Sequence, residues 1–167
     1  MQIQQVKTNG QVETVARLAD EIWRQHYEGI VDPAQIDYML ATLQSADAIS
    51  EQIKNKNYEY YLMQDDSGNL CGYFAFIIEK DGIFLSKIYV QKNNRKKGFA
   101  KKAISFMADT AKNLNLSSIY LAVARENVEA IEAYKKMNFN IDGNTDIEIG
   151  GGFFMYDYKM SLKIIKD

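Results

Sequence analysis

The sequence predicts an α/β domain built on one mixed central sheet, mostly antiparallel and flanked by helices, and three observations lead there. The 167 residues, 47% of them hydrophobic, have the length of one ordinary domain with its own core, so residues 1–167 are read as a single domain. The apolar period changes from helical to extended at Tyr58, after which short polar turns separate successive hydrophobic runs. Finally, Ile83 to Ala124 reads strand, basic turn, amphipathic helix, strand, a crossover that joins parallel strands, so the sheet is antiparallel in its first half and parallel beside the basic turn.

Met1–Val6 is a strand closed by the turn residues Thr8-Asn9-Gly10. Val12, Val15, Ala16, Ala19, Ile22 and Trp23 then recur at helical spacing. A second helix starts at Asp32-Pro33-Ala34-Gln35, with Asp as N-cap, Pro at the first helical position and Gln at the third, and buries Ile36, Met39, Leu40 and Leu43. A short helix follows over residues 46–54. Tyr58–Gln64 and Leu70–Glu79 form a hairpin across Asp65-Asp66-Ser67-Gly68-Asn69, and Lys80-Asp81-Gly82 turns the chain into a third strand, Ile83–Val90. The helix Ala100–Leu114 places Ala100, Ala103, Ile104, Met107, Ala111 and Leu114 on one face, and Ser118–Ala124 is the next strand. Asn127 caps a helix over Val128–Met137, Asn138 leaves it in a left-handed conformation, and the aromatic run Phe153–Leu162 is a last strand. No element is assigned to residues 140–152.

The most informative segment lies between Gln91 and Lys102, where Lys92, Arg95, Lys96, Lys97, Lys101 and Lys102 surround Gly98 without one acid. A strand running into a helix aims the first unpaired helical N–H groups, and the positive end of the helix dipole, at one point. Polyphosphates bind such points, and a glycine there lets backbone approach the anion. The whole chain has a net charge of −2, yet without these six cations 14 basic residues face 22 acidic ones, a net of −8. The positive charge is therefore local, as for a ligand site, and a surface built for nucleic acid or an anionic membrane is not expected.

Cys71 is the only cysteine and His26 the only histidine, which excludes an internal disulfide and a Cys/His zinc site; no metal is expected. Cys71 lies in a strand pattern beside Gly72 and reads as a buried inert thiol. The longest apolar stretch, Leu70–Ile78, is too short to span a bilayer, and with no apolar leader at Met1 a reduced, cytoplasmic setting is expected.

Two motifs resemble those of the GNAT acetyltransferases. Arg95-Lys96-Lys97-Gly98-Phe99-Ala100, following the strand Leu85–Val90, is similar to the Arg/Gln-x-x-Gly-x-Gly/Ala pyrophosphate loop of that superfamily. Asn127-Val128-Glu129-Ala130-Ile131-Glu132-Ala133-Tyr134-Lys135-Lys136-Met137-Asn138-Phe139 is similar to its Asn-x-x-Ala-x-x-x-Tyr-x-Lys-x-Gly-Phe block, with Asn138 in place of the glycine. The resemblance follows the order of elements along the whole chain. It implies acetyl-CoA as donor, central strands that splay apart, pantetheine pairing along Ile88, Tyr89 and Val90, and the pyrophosphate over amides from Arg95 to Ala100. It also implies a pantetheine bond from Asn127, a cofactor contact from Lys136, and Tyr134 as the acid that protonates the leaving thiolate, with a backbone N–H near Tyr89 or Val90 for the oxyanion. Taken by themselves, Asn127 is equally a helix cap, and Tyr134 reads as an aromatic packed on the helix face with Ala130 and Met137 rather than as an acid.

The acceptor is expected to be a small-molecule primary amine. The segment Trp23–Ile30 together with Gly150–Tyr158 is similar to the bacterial polyamine-acetylating branch of the superfamily, and Glu28, Asp32, Asp37, Glu148 and Asp157 would offer a polycation such as spermidine a negative field. His26, Glu28, Glu79 and Asp157 are the candidate bases, with a water chain as the alternative, and the sequence does not select among them. A protein or peptide acetyltransferase and a non-catalytic acyl-CoA sensor remain as alternatives, and monomer and homodimer are both open.

Overall fold

The structure, a computed structural model, describes residues 1–165. Its elements are β1 Gln2–Gln5, α1 Asn9–His26, α2 Pro33–Leu43, α3 Ala46–Asn55, β2 Tyr58–Gln64, β3 Leu70–Ile78, β4 Gly82–Val90, α4 Phe99–Asn113, β5 Ser118–Ala124, α5 Val128–Lys136, β6 Asn140–Gly150 and β7 Phe153–Lys163. The strands follow one hydrogen-bonded order, β1-β2-β3-β4-β5-β7-β6, and β4 with β5 is the parallel pair. The chain forms two compact units, residues 1–77 with 87–103, and residues 78–86 with 104–165.

In the first unit β1, β2 and β3 pair antiparallel, from Gln2 opposite Gln64 and Tyr58 opposite Ile77. The three N-terminal helices are each started by a side chain. Thr8 accepts the N–H of Gln11 while Gln11 reaches back to Thr8, Asp32 accepts from Ala34, and Ser45 from Ala48. Each such cap is worth about 0.5–2 kcal/mol. Thr8, expected to close a turn, is the cap of a helix that begins at Asn9, three residues before its first apolar position. The core of this unit is Leu18, Ile22, Ile49, Met63, Phe74 and Phe76, with Tyr60 and Tyr73.

In the second unit the parallel register runs from Gly82 opposite Ser118 to Phe84 opposite Tyr120. β5 then pairs along its whole length with β7, and β7 with β6. Ile83, Ile104, Met107, Ala111, Ile119, Leu121, Ile131, Phe139 and Met160 fill the core. Leu114, expected on the apolar face of α4, lies just beyond the helix and is 49% exposed. Asn138 adopts the expected left-handed conformation, φ 67°, after α5.

β6 is the element the sequence reading missed. Its residues Asn140, Asp142, Gly143, Asn144 and Asp146 are poor strand formers, and the strand lies at the sheet edge with most of its positions exposed, so no alternation of buried and polar residues marks it. The hairpin to β7 turns at Gly150, Gly151 and Gly152, all with positive φ (95°, 62° and 76°).

Candidate active site

In the first unit β4 ends at Val90, a single 3-10 turn covers Lys92–Asn94, and α4 begins at Phe99. Lys96 (φ 61°) and Gly98 (φ 87°) both take left-handed conformations that bring the chain round to the helix. Thr8, Asp32, Ser45 and Asn127 cap α1, α2, α3 and α5 with side-chain oxygens, whereas the residue before α4 is Gly98, which has none to offer. A Cβ built on Gly98 would meet no atom within 4 Å, so the space above the first amides of α4 is open.

The six cations of this segment differ in what they do. Arg95 folds back, its Nε donating to the Val90 carbonyl at 3.3 Å and its Nη2 to His26 Nδ1 at 3.3 Å. Since Arg can only donate, His26 accepts there. Lys97 donates to Asn94 Oδ1 at 3.2 Å and Lys102 to the Met1 carbonyl at 2.6 Å. Lys92, Lys96 and Lys101 are exposed. The loop is thus braced against α1 by Arg95 and His26, and these three lysines present their ammonium groups to solvent.

Tyr89 belongs to an aromatic cluster at the end of α1. Its hydroxyl meets that of Tyr27 at 2.7 Å, and its ring lies 5.1 Å from Trp23, 5.7 Å from Tyr73 and 5.8 Å from His26. Ile88 and Val90 are half-buried on the same strand. The backbone here is pressed against β3. A Cβ on Gly72 would stand 2.2 Å from the Tyr89 carbonyl oxygen and 3.0 Å from the Val90 Cα, and Gln91 donates to the Cys71 carbonyl at 2.9 Å. Glycine at position 72 is therefore what lets Tyr89 and Val90 take their place. Cys71 itself is buried, and burial pushes its thiol up, which fits the inert role.

Behind the cluster runs a buried polar chain that the sequence reading missed. Trp23 Nε1 donates to Tyr73 Oη at 2.8 Å, Tyr73 to Gln44 Oε1 at 2.8 Å, Gln44 Nε2 to Tyr60 Oη at 3.1 Å, and Tyr60 to Gln52 Oε1 at 2.5 Å. Lys87 Nζ closes it, 3.4 Å from Gln52 Oε1 and 4.7 Å from the centre of the Tyr58 ring. Burial pushes the Lys87 ammonium down to about 7, while the ring face and the amide oxygen favour its charge. One signal was available: the two-residue period of Ile83, Leu85 and Tyr89 puts Lys87 on their face of β4.

In the second unit Asn127 is buried and its Oδ1 accepts the N–H of Ala130 at 3.2 Å, while its own N–H donates to the Ala124 carbonyl at 2.9 Å. The helix-cap role is therefore real, whatever else Asn127 holds. Tyr134 is half-buried on α5 with its ring 5.5 Å from Phe139, and its carbonyl receives the N–H groups of Met137 and Phe139. Lys136 is exposed in the last turn of α5.

The candidate bases separate. Glu79 accepts the hydroxyl of Tyr120, His26 faces Arg95, Glu28 is exposed after α1, and Asp157 is buried on β7. Of the other acids read as an attracting field, Asp37 is bound by Arg24 at 2.7 Å and Asp32 is a cap. Among the described residues no group of three or more His, Cys, Asp and Glu could hold a metal ion, and no helix is long and apolar enough to cross a membrane.

Comparison with known proteins bears on the family and the fold. The model of the acetyltransferase (GNAT) family matches residues 15–139. A probable N-acetyltransferase of Mycobacterium tuberculosis is 24% identical over 135 residues, 78% of this chain and 75% of that protein. The PaiA N-acetyltransferase of Thermoplasma acidophilum, solved in complex with coenzyme A, superposes with a TM-score of 0.74 at 21% identity, over 98% of this chain and 99% of that one. The spermidine N-acetyltransferase of Vibrio cholerae, solved with CoA and spermine, gives 0.71 at 21% identity, over 98% and 95%.

Proposed function

The chain belongs to the GNAT family and is an acetyl-CoA-dependent N-acetyltransferase; from that premise we propose that residues 1–167 act as one catalytic domain that acetylates a primary amine of a small polycation such as spermidine. The observation that carries the acceptor half is the division of charge, six cations on the segment 91–102 and a net of −8 over the rest. A polyamine meets a negative field on approach, and the carboxylates can hold the ammonium groups that do not react. The Vibrio cholerae neighbour, which binds spermine, supports the same class of acceptor.

On the donor side the residues fit acetyl-CoA. The first amides of α4, preceded by Gly98 and the open space at its Cβ position, would take the pyrophosphate, with Arg95 setting the loop and Lys96, Lys97, Phe99 and Ala100 lining it. Beyond Phe84, where the register with β5 stops, Ile88, Tyr89 and Val90 would pair the pantetheine arm and supply the oxyanion N–H. Asn127 and Lys136 would hold the donor from α5, and Tyr134 would protonate the departing sulfur.

The acceptor reading is tested by kcat/KM for spermidine and for a monoamine of similar length, each measured against ionic strength. Efficiency should be higher for spermidine and fall as salt screens the field. Indifference to both salt and the second charge removes the polyamine and leaves the acetyltransferase.

A further inference from the structure

β7 holds a buried carboxylate that the fold does not use. Asp157 is 7% exposed and lies opposite Ala124 on β5 and Thr145 on β6. Its Oδ1 is buried and, among the described residues, has no hydrogen-bond partner; the same holds for Nε of Arg125. Arg125 follows Ala124, and its N–H donates to the Tyr156 carbonyl at 2.9 Å, which places it beside Asp157 across the strand pair. Yet its guanidinium is committed elsewhere, to Asp146 and to the ring of Tyr156 at 5.6 Å.

An acceptor oxygen buried without a donor is costly, and more so when charged. Burial pushes the Asp157 carboxyl up to about 6; the Arg125 charge opposes this and the Asp146 charge adds to it. These are the charged groups that reach it, Arg125 from the end of β5 and Asp146 from β6, while Tyr156 and Tyr158 flank it on β7. Packing alone gives no reason for a carboxylate at this position.

Its place in the fold gives one. Ala124 is the last residue of β5, and open α/β sheets bind ligands outside the carboxyl ends of their parallel strands. From Ala124 the chain passes through Asn127 into α5, which carries Tyr134. Asp157 lies beyond residues 15–139, the segment the family model matches.

We propose that Asp157 is the general base that takes the first proton from the acceptor ammonium, an inference that rests on the acetyltransferase reading above. The unpaired Oδ1 accepts an N–H of the ammonium and removes that proton. Desolvation lowers the ammonium's own pKa as it enters, narrowing the gap to the carboxylate. The freed lone pair attacks the thioester carbonyl, the C–N bond forms, and the C–S bond breaks as Tyr134 protonates the sulfur. The second proton, shed by the nitrogen as the adduct collapses, restores the Tyr134 hydroxyl, and Asp157 returns its proton to water.

The test is Asp157→Asn in the full chain. Acetyl-CoA affinity should stay within a few-fold of wild type, turnover should fall by the ~10²–10⁴ of a lost general base, and the acid limb of kcat/KM for the amine should disappear. Stability should move the opposite way. A carboxyl whose pKa is raised on folding contributes stability below its unfolded value, about 4, that is lost as pH rises through about 6, so the variant should gain on wild type across that window and stay ahead at neutral pH. A merely structural carboxylate predicts the reverse, an unstable or unfolded variant, and that result overturns the proposal. Asp157→Glu should keep the acid limb at a reduced rate, and its absence there also counts against the base. A wild type that acetylates amines beside an indifferent Asp157→Asn sinks this proposal alone; a wild type that acetylates no amine removes the function reading and this one with it.

Discussion

Tyr134→Phe should leave the fold and acetyl-CoA affinity unchanged and lower kcat by about 10²–10⁴-fold, the range for a lost general acid. The substitution is clean because the ring stays. Tyr134 packs 5.5 Å from Phe139, which is 2% exposed, and a phenylalanine keeps that contact. Only the hydroxyl goes, so the thiolate must leave without a positioned proton. Steady-state kinetics with direct titration of the donor decides between three outcomes. Unchanged kcat returns Tyr134 to packing, and a loss of donor affinity as large as the loss of rate makes it a residue that positions the cofactor.

Gly98→Val should weaken acetyl-CoA binding by well over tenfold, read by calorimetry on folded protein. A Cβ at position 98 would meet no atom within 4 Å. The effect has two separable parts. At φ 87° a β-branched residue is strained by roughly 1–2 kcal/mol, which lowers thermal stability with or without ligand. The larger part is occupation of the space over the first amides of α4, felt only when the donor is present. Gly98→Ala carries the strain with less bulk and should fall between the two. Arg95→Ala should weaken binding moderately, because it removes the ties to Val90 and His26 that hold the loop. Equal affinity of wild type and Gly98→Val for the donor would sink the loop assignment.

What was legible in the sequence was mostly local. Asp32-Pro33, Asn127 and Asn138 each act on neighbours within a few residues, and all three do in the structure what their chemistry predicts. The basic loop after a hydrophobic strand was equally plain, since a charge run around one glycine needs no tertiary information. β6 was not, because an edge strand rich in Asn, Asp and Gly has neither propensity nor a buried face to announce it. Gln44 and Gln52 were missed for a related reason. A glutamine in a helix, like Gln52, or just past the end of one, like Gln44, reads as solvent-facing, and only the folded chain reveals that both are buried partners of Tyr60. Asp157 stood among four candidate bases with nothing to distinguish it, because being buried without a donor is a property of its surroundings and not of the residues next to it in sequence.

The most direct measurement incubates the protein with acetyl-CoA and spermidine and follows two products together, free thiol and the mass of the amine. Thiol should be released only when amine is present, one for each amine that gains an acetyl group. Thiol released equally without amine would make the protein a thioester hydrolase, and donor bound with neither product would make it an acyl-CoA sensor; either result contradicts transfer to an amine.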